Sequence, residues 1–263
     1  MRSCFVPRLR RGLCAGLAVT ALIACDGESV PSERRAGKQV VVSSGHRDQG
    51  RGDSPPVCRG AARVVTRAAF RRPGELRGDV DGDGDGDELF VAVAQGARRG
   101  CRVFVAADIG DRLLAAPIPD DYVSFELGLP ALRTLAAVDD VEGAEIVVDV
   151  GAGASTQFAS VFTVTEGRLK QVIAQGAGPP GLFAYGGSVG HVAAVDCDAP
   201  GRVVISSAVP RRNHYRVARR FANAHGTVWR IDPSATEHNR APLSSLRDYH
   251  EFARSPFGSC PVE

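Results

Sequence analysis

Three apolar runs recur along this chain at a constant interval, and such self-similarity confines it to stacked, equivalent units rather than one continuous core. Glu88-Leu89-Phe90-Val91-Ala92-Val93 aligns with Glu145-Ile146-Val147-Val148-Asp149-Val150 and then with Arg202-Val203-Val204-Ile205-Ser206-Ser207, offset by 57 residues each time. Ala136-Ala137-Val138-Asp139 and Ala193-Ala194-Val195-Asp196 precede the second and third runs at the same offset. Second strand-like pieces follow at Arg102–Val105, Ser160–Thr163 and Tyr215–Ala218, and third pieces at Asp111–Leu114, Gly167–Lys170 and Gly226–Trp229. The runs are short, β-branched and broken by Gly and Asp, with no helical period long enough for a stable helix. The expectation is an all-β protein of β-propeller-like repeats, because units of roughly 40 to 60 residues with about four strands bury their faces by stacking on neighbours. Three units are clear, and Cys58 to Phe70 together with the tail after Asp232 offers material for a fourth. An incomplete ring or a sandwich are the alternatives.

Ahead of the first run, Asp79, Asp81, Asp83, Asp85 and Asp87 occupy alternate positions 1, 3, 5, 7 and 9 of a loop, with glycine at 82, 84 and 86. Carboxylates this close repel one another and raise each other's pKa, and a hard divalent cation relieves the conflict. Calcium accepts six to eight oxygens in a flexible shell, and the interleaved glycines permit the tight turns that converge them. A solvated acidic turn is the alternative. An EF-hand needs a bidentate glutamate at position 12, where this chain has Phe90 on a strand-like segment, so that loop type is excluded.

The loop resembles the calcium loops of the FG-GAP and VCBS repeat family, found in integrin-α-type propellers, where Asp-x-Asp/Asn-x-Asp-Gly-x-x-Asp runs straight into an apolar strand. The resemblance implies side-chain ligands at Asp79, Asp81, Asp83 and Asp87 and a backbone carbonyl ligand at Asp85. Gly186-Gly187 after Tyr185 is weakly similar to the family's Phe-Gly-Gly element, and the resemblance covers about Leu76 to Asp232. The equivalent segments depart from the pattern. Asp139-Asp140-Val141-Glu142-Gly143-Ala144-Glu145 lacks the central Asp-Gly, and Asp196-Cys197-Asp198-Ala199-Pro200-Gly201 has two carboxylates. One good metal site, a doubtful second and an empty third are expected.

Residues 1–24 have the parts of a secretory signal: Arg2, Arg8, Arg10 and Arg11, then a twelve-residue apolar run from Leu13 to Ala24. That run is too short to span a hydrocarbon core of roughly 30 Å. Leu22-Ile23-Ala24-Cys25 resembles the lipobox of bacterial lipoproteins, which implies cleavage before Cys25 and lipidation of its thiol. Residues 25–57 read as a flexible linker of Gly, Ser, Arg and Pro, apart from Val40-Val41-Val42, and residues 58–263 as the repeat domain. The Arg51-Gly52-Asp53 triplet in the linker is short enough to arise by chance. Four of the 32 basic residues lie in the signal and none of the 30 acidic ones do, leaving 28 against 30. The apparent basic balance is therefore a targeting feature and gives no reason to expect nucleic acid.

Setting aside Cys4, Cys14 and Cys25, the domain keeps Cys58, Cys101, Cys197 and Cys260. An even count in an exported chain suggests two disulfides. Of three possible pairings, Cys58 with Cys101 and Cys197 with Cys260 is favoured, since each would staple one end of the domain to a repeat. Cys-x-x-Cys spacing is absent, so a zinc cluster of these thiols is not expected.

Gly186-Gly187-Ser188-Val189-Gly190 formally matches Gly-x-Ser-x-Gly, the nucleophile elbow of α/β-hydrolases, with Asp232 and His238 or His250 in the right order for a triad. An elbow needs a helix after the turn, and His191 to Asp196 read as a strand. His214, His225, His238 and His250 lack zinc-type spacing, and no carboxylate pair is singled out for glycoside hydrolysis. A carbohydrate-binding module would offer exposed aromatics, and this chain has one Trp, Trp229, and four Tyr. The leading expectation is a non-catalytic binding or adhesion domain stabilised by calcium, anchored to a membrane through Cys25 at the cell surface or in the periplasm. Its ligand would be a protein or glycan. A secreted hydrolase is the main alternative, ahead of a carbohydrate-binding module.

Overall fold

A computed structural model describes residues 39–42, 58, 65, 70–71, 76–94, 100–188 and 190–262. The signal segment, Cys25 and the Arg51-Gly52-Asp53 triplet lie outside the described residues. The domain is nearly all β, in mostly antiparallel sheets.

Each of the three aligned segments folds as a four-stranded antiparallel meander. The first comprises β3 (Leu76–Gly78), β4 (Asp87–Val93), β5 (Val103–Ile109) and β6 (Arg112–Pro117). Two short strands join it. β1 (Gln39–Val42), within the stretch expected as linker, pairs in parallel with β6, and β2 (Phe70–Arg71) pairs with β4. The second comprises β7 (Ala131–Ala136), β8 (Glu145–Ala152), β9 (Gln157–Thr165) and β10 (Arg168–Gln171). The third comprises β13 (His191–Ala199), β14 (Arg202–Pro210), β15 (His214–Asn223) and β16 (Val228–Pro242), with β11 (Ile173–Gln175) parallel to the start of β16. β12 (Phe183–Ser188) links the last two, pairing Phe183 to Tyr185 with β9 and Gly186 to Ser188 with β13.

Alternate residues of each strand face opposite sides of its sheet, and here both sides are covered. Leu89, Val91, Val103, Val105 and Leu114 enter one core with Ile146, Val148 and Phe162, so the first and second sheets face each other. Phe90, Phe104 and Ala115 line a separate cluster on the outer side of the first sheet. Val147 and Val161 of the second sheet meet Val195, Val203, Ile205 and Trp229 of the third. Burial on both faces explains why the central strands read as continuous apolar runs rather than alternating ones.

The two disulfides are Cys58–Cys101 and Cys197–Cys260. The second ties β13 to a C-terminal segment that crosses the sheets: Phe257 donates its N–H to Val195 O, and Ala137 N–H bonds to Pro261 O. The stretch after Asp232, considered above for a fourth unit, instead completes β16 and continues into a 3-10 turn, Leu246–Asp248, and a single helical turn, His250–Ala253. That helical turn is pinned inward by Glu251, whose buried carboxylate accepts from Ser206 Oγ at 2.7 Å and Arg219 Nε at 2.8 Å.

Candidate metal centre

The aspartate-rich segment is the connection of the β3–β4 hairpin. The ladder closes at Gly78 opposite Asp87, and everything between is turn. Asp79 shapes the turn with both oxygens, Oδ1 accepting from the Gly82 N–H at 2.7 Å and Oδ2 from the Gly84 N–H at 2.8 Å. Asp87 Oδ2 reaches back across the loop to the Val80 N–H at 3.1 Å, and Asp83 Oδ1 takes the Asp85 N–H at 2.8 Å.

Of the five aspartates, the fold gathers three. Asp79, Asp81 and Asp87 each offer a carboxylate oxygen, all within 4.8 Å of one another. Two oxygens on opposite sides of one calcium ion would be about that far apart, given Ca–O distances of roughly 2.4 Å. Asp83 and Asp85 are exposed and stand outside this group. Asp81 Oδ1 is buried without a hydrogen-bond partner, which costs free energy unless something positive meets it. The nearest cation, Arg112 on β6, stands 3.9 Å from the other oxygen, Oδ2. Burial, then the Asp83 carboxylate, raises the Asp81 pKa. Asp87 is only 4% exposed. Its pKa is pushed up to about 6 by burial and by Asp81, Asp83 and Asp79, against the pull of the Val80 N–H. Hard oxygen donors, an orphaned buried carboxylate oxygen and mutual repulsion together fit a hard divalent cation.

The second acidic loop braces the first. The Ala144 N–H donates to Asp79 O at 2.9 Å. Gly143, at φ 98°, packs so closely that an added Cβ would lie 2.9 Å from Val80 O and from Gly82 N. Gly82, at φ 79°, faces the Glu142 backbone equally closely. The Gly143→Ala variant therefore combines a left-handed backbone with a backbone clash, and should cost about 2 kcal/mol or more in urea unfolding. Gly86→Ala, where nothing lies within 4 Å, should be near neutral by comparison.

The loops are related by register as well as contact. Gly78 opposes Asp87 as Ala136 opposes Glu145, and Glu145 Oε2 accepts the Val138 N–H at 2.8 Å as Asp87 Oδ2 accepts that of Val80. This register is offset by 58 residues (145 − 87), one more than the alignment of Glu88 with Glu145 in the sequence, and it places Asp139 at the position of Asp81, but Ala137 at that of Asp79 and Val141 at that of Asp83. Asp139 is taken up by the Val141 and Gly226 N–H groups. Glu145 is 1% exposed, and burial with the nearby Asp139 charge pushes its pKa to about 8. In this loop a proton on Glu145 relieves the repulsion. The third equivalent has contracted to a tight β13–β14 turn. Asp196 is fully buried and bonded to the Cys197 and Ser259 N–H groups and to Ser259 Oγ, while Asp198 pairs with Arg202 and Arg219.

The Ser188 segment has no elbow geometry: β12 runs through Ser188, which pairs with His191 as the chain returns in β13. Asp232 opposes Phe221 and His238 opposes Ala218, which sends them to opposite faces of the third sheet. His250 Nδ1 lies 3.5 Å from Glu251 Oε2, and its Nε2 lies 4.0 Å from Asp196 Oδ2. Exposed His225 meets exposed Asp140 at 3.3 Å. Trp229 is fully buried against Phe183 and Phe257 and cannot serve as a sugar-stacking platform.

One polar site had no motif to announce it. Arg133 Nε donates to Asp149 Oδ1 at 2.7 Å and its Nη2 to Tyr185 Oη at 2.8 Å, while Tyr185 Oη donates to Asp149 Oδ1 at 2.7 Å. Arg133 and Tyr185 line a cleft of about 240 Å³ with Ala194, Glu251, Phe252 and Arg254. In the sequence Asp149 stands only within the second apolar run and Tyr185 only ahead of Gly186-Gly187, with nothing to link them to Arg133.

Compared with protein-family models, characterised proteins and solved structures, the chain matches none.

Proposed function

We propose that this chain is an exported, lipid-anchored, non-catalytic binding domain of FG-GAP/VCBS type, whose repeats pack in propeller-like succession and are stabilised by calcium at Asp79, Asp81 and Asp87. The observation that carries the cation is the buried, unpartnered Asp81 Oδ1 beside two further carboxylates. Three four-stranded meanders stacked face to face support the propeller-like reading. The disulfides fit an oxidising compartment outside the cytosol. Calcium would supply positive charge to a turn whose backbone the same carboxylates already hold, so its role is to fix the β3–β4 connection against the second loop. Binding of a protein or glycan then falls to surfaces away from the ion.

Calorimetric titration of calcium into the full chain tests this reading. One site is expected, with a dissociation constant of about 0.1 to 1 mM, typical of extracellular modules, and Asp81→Asn with Asp87→Asn abolishes the heat. A wild-type titration without binding, or one unchanged in the double variant, contradicts it.

A further inference from the structure

The third sheet separates its charges by face. Residues directly opposite one another on neighbouring strands share a face. On one face, Arg219 meets Glu251, Glu237 and Asp198, and Arg202 meets Asp198. Asp232 belongs to this face as well, since it opposes Phe221.

The other face packs on the second sheet at its Val203 and Ile205 end, and the charged residues along the rest of it are all cationic. Arg216 of β15 stands directly opposite Arg240 of β16, with Val209 of β14 on its other side. The next row is Ser207, Ala218 and His238, and Arg220 lies two residues further along β15. His214 and Arg211 close the row at the hairpin end, where the Arg211 N–H bonds to His214 O. Arg211, Arg216, His238 and Arg240 are exposed. Among the described residues no carboxylate pairs with Arg216 or Arg240, and no acidic residue opposes any position of these rows. Like charges directly opposite on adjacent strands are destabilising in isolation. Arg202 and Arg219 of the same sheet have carboxylate partners, whereas Arg216 and Arg240 face each other across the strands with none, which leaves this cationic pair open to an external anion.

Shape and composition narrow the anion. Between the arginines stand Ser207 and Ala218, which make the face shallow, and the ladder runs along the strands from residue 214 to 220, about 20 Å at roughly 3.3 Å per residue. No aromatic side chain stands in these rows to stack a base, and of their apolar side chains Ile205 is buried, which leaves only Val209 beside Arg216. The chain as a whole is near charge balance beyond its signal, which disfavours a general affinity for nucleic acid. Paired guanidinium forks suit carboxylate and sulfate groups presented in sequence along a chain. We infer that the face bearing Arg216 and Arg240 binds a linear acidic polysaccharide. This inference rests on the proposed role as a binding domain, names its ligand class, and does not depend on the cation.

Binding of the full chain to heparin and to polygalacturonate, followed by interferometry at rising salt, tests the inference. Duplex DNA and phosphatidylglycerol vesicles serve as competing polyanions. The expected result is salt-sensitive binding to at least one glycan, weakened tenfold or more by Arg216→Ser with Arg240→Ser. Arg230→Ser, which removes an exposed arginine from the opposite face, should leave it unchanged. The double variant should melt no lower than wild type, because a like-charge pair has been removed. Absent glycan binding, equal loss in the Arg230 variant, or tighter binding to DNA or vesicles than to either glycan overturns it. Loss of calcium binding with glycan binding intact would count against the metal reading alone.

Discussion

Replacing Cys197 and Cys260 together with alanine is expected to lower stability by about 4 kcal/mol, the chain-entropy value for a bond closing a loop of this size. The bond spans a sequence separation of 63 residues. It also sits in the core that joins the second and third sheets, beside Val195, Val203, Trp229 and Phe257. The adjacent Ser259 supplies two of the hydrogen bonds that satisfy fully buried Asp196. Freed from the disulfide, the C-terminal segment can swing away and leave that buried carboxylate with the Cys197 N–H but without its two bonds from Ser259, an added cost. For a domain of this size the loss corresponds to a fall of about 8 to 16 °C in melting temperature. Calorimetry on the double variant, with Cys58–Cys101 intact, checks it. A fall of less than about 3 °C would mean that the C-terminal segment is held by packing alone.

The second large effect depends on pH. The Glu145 carboxyl has its pKa raised from 4.5 to about 8, chiefly by burial and then by Asp139, while the N–H groups of Val138, Glu145 and Asp139 oppose the shift. Between those pH values the folded state holds a proton that the unfolded state has released. Stability from this group is therefore complete below about pH 4.5, declines as pH rises, and is lost above about pH 8. At about 1.4 kcal/mol per pKa unit the decline is on the order of 5 kcal/mol. The Glu145→Gln variant keeps a neutral acceptor for the Val138 N–H and abolishes this decline. Urea unfolding in chelator should give similar stabilities for the two proteins at pH 5 and a more stable variant at pH 9. The shift at Asp87 is common to both proteins and cancels. Parallel stability curves across the whole range would show that Glu145 ionises freely in the folded state.

Much of the scaffold was legible because the repeating apolar runs are long and buried on both faces, so their spacing survives as pattern. Leu89, Ile146 and Val203 all lie in cores between sheets, and the segments around them form the three meanders. The cysteine pairing was one of three that spacing left open, and the favoured one forms: Cys58 bonds Cys101 ahead of β5, and Cys197 within β13 bonds Cys260 of the C-terminal segment. The role of the segment after Asp232 was not. Its strand character beyond the bulge depends on pairing with β15 rather than on its own polar sequence, and its inward turn depends on Glu251 meeting Ser206 and Arg219. At the acidic loop, alternate aspartates marked the chemistry but not which of them converge. Convergence is decided by hydrogen bonds from Gly82, Gly84 and Val80 and by the press of Gly143, and these leave Asp83 and Asp85 facing solvent. The Arg133–Asp149–Tyr185 cluster joins residues 52 positions apart, a relation no local spacing can reveal.

The central claim is that the loop from Asp79 to Asp87 is held by calcium. Thermal melting of the full chain in 2 mM calcium and in chelator, for wild type and for Asp81→Asn with Asp87→Asn, tests it most directly. With a dissociation constant near 0.1 mM, calcium at about 2 mM contributes about 1.8 kcal/mol, or roughly 4 to 7 °C. That shift is expected in the wild type and absent in the variant. Four coincident curves, or an equal calcium shift in both proteins, would contradict the account.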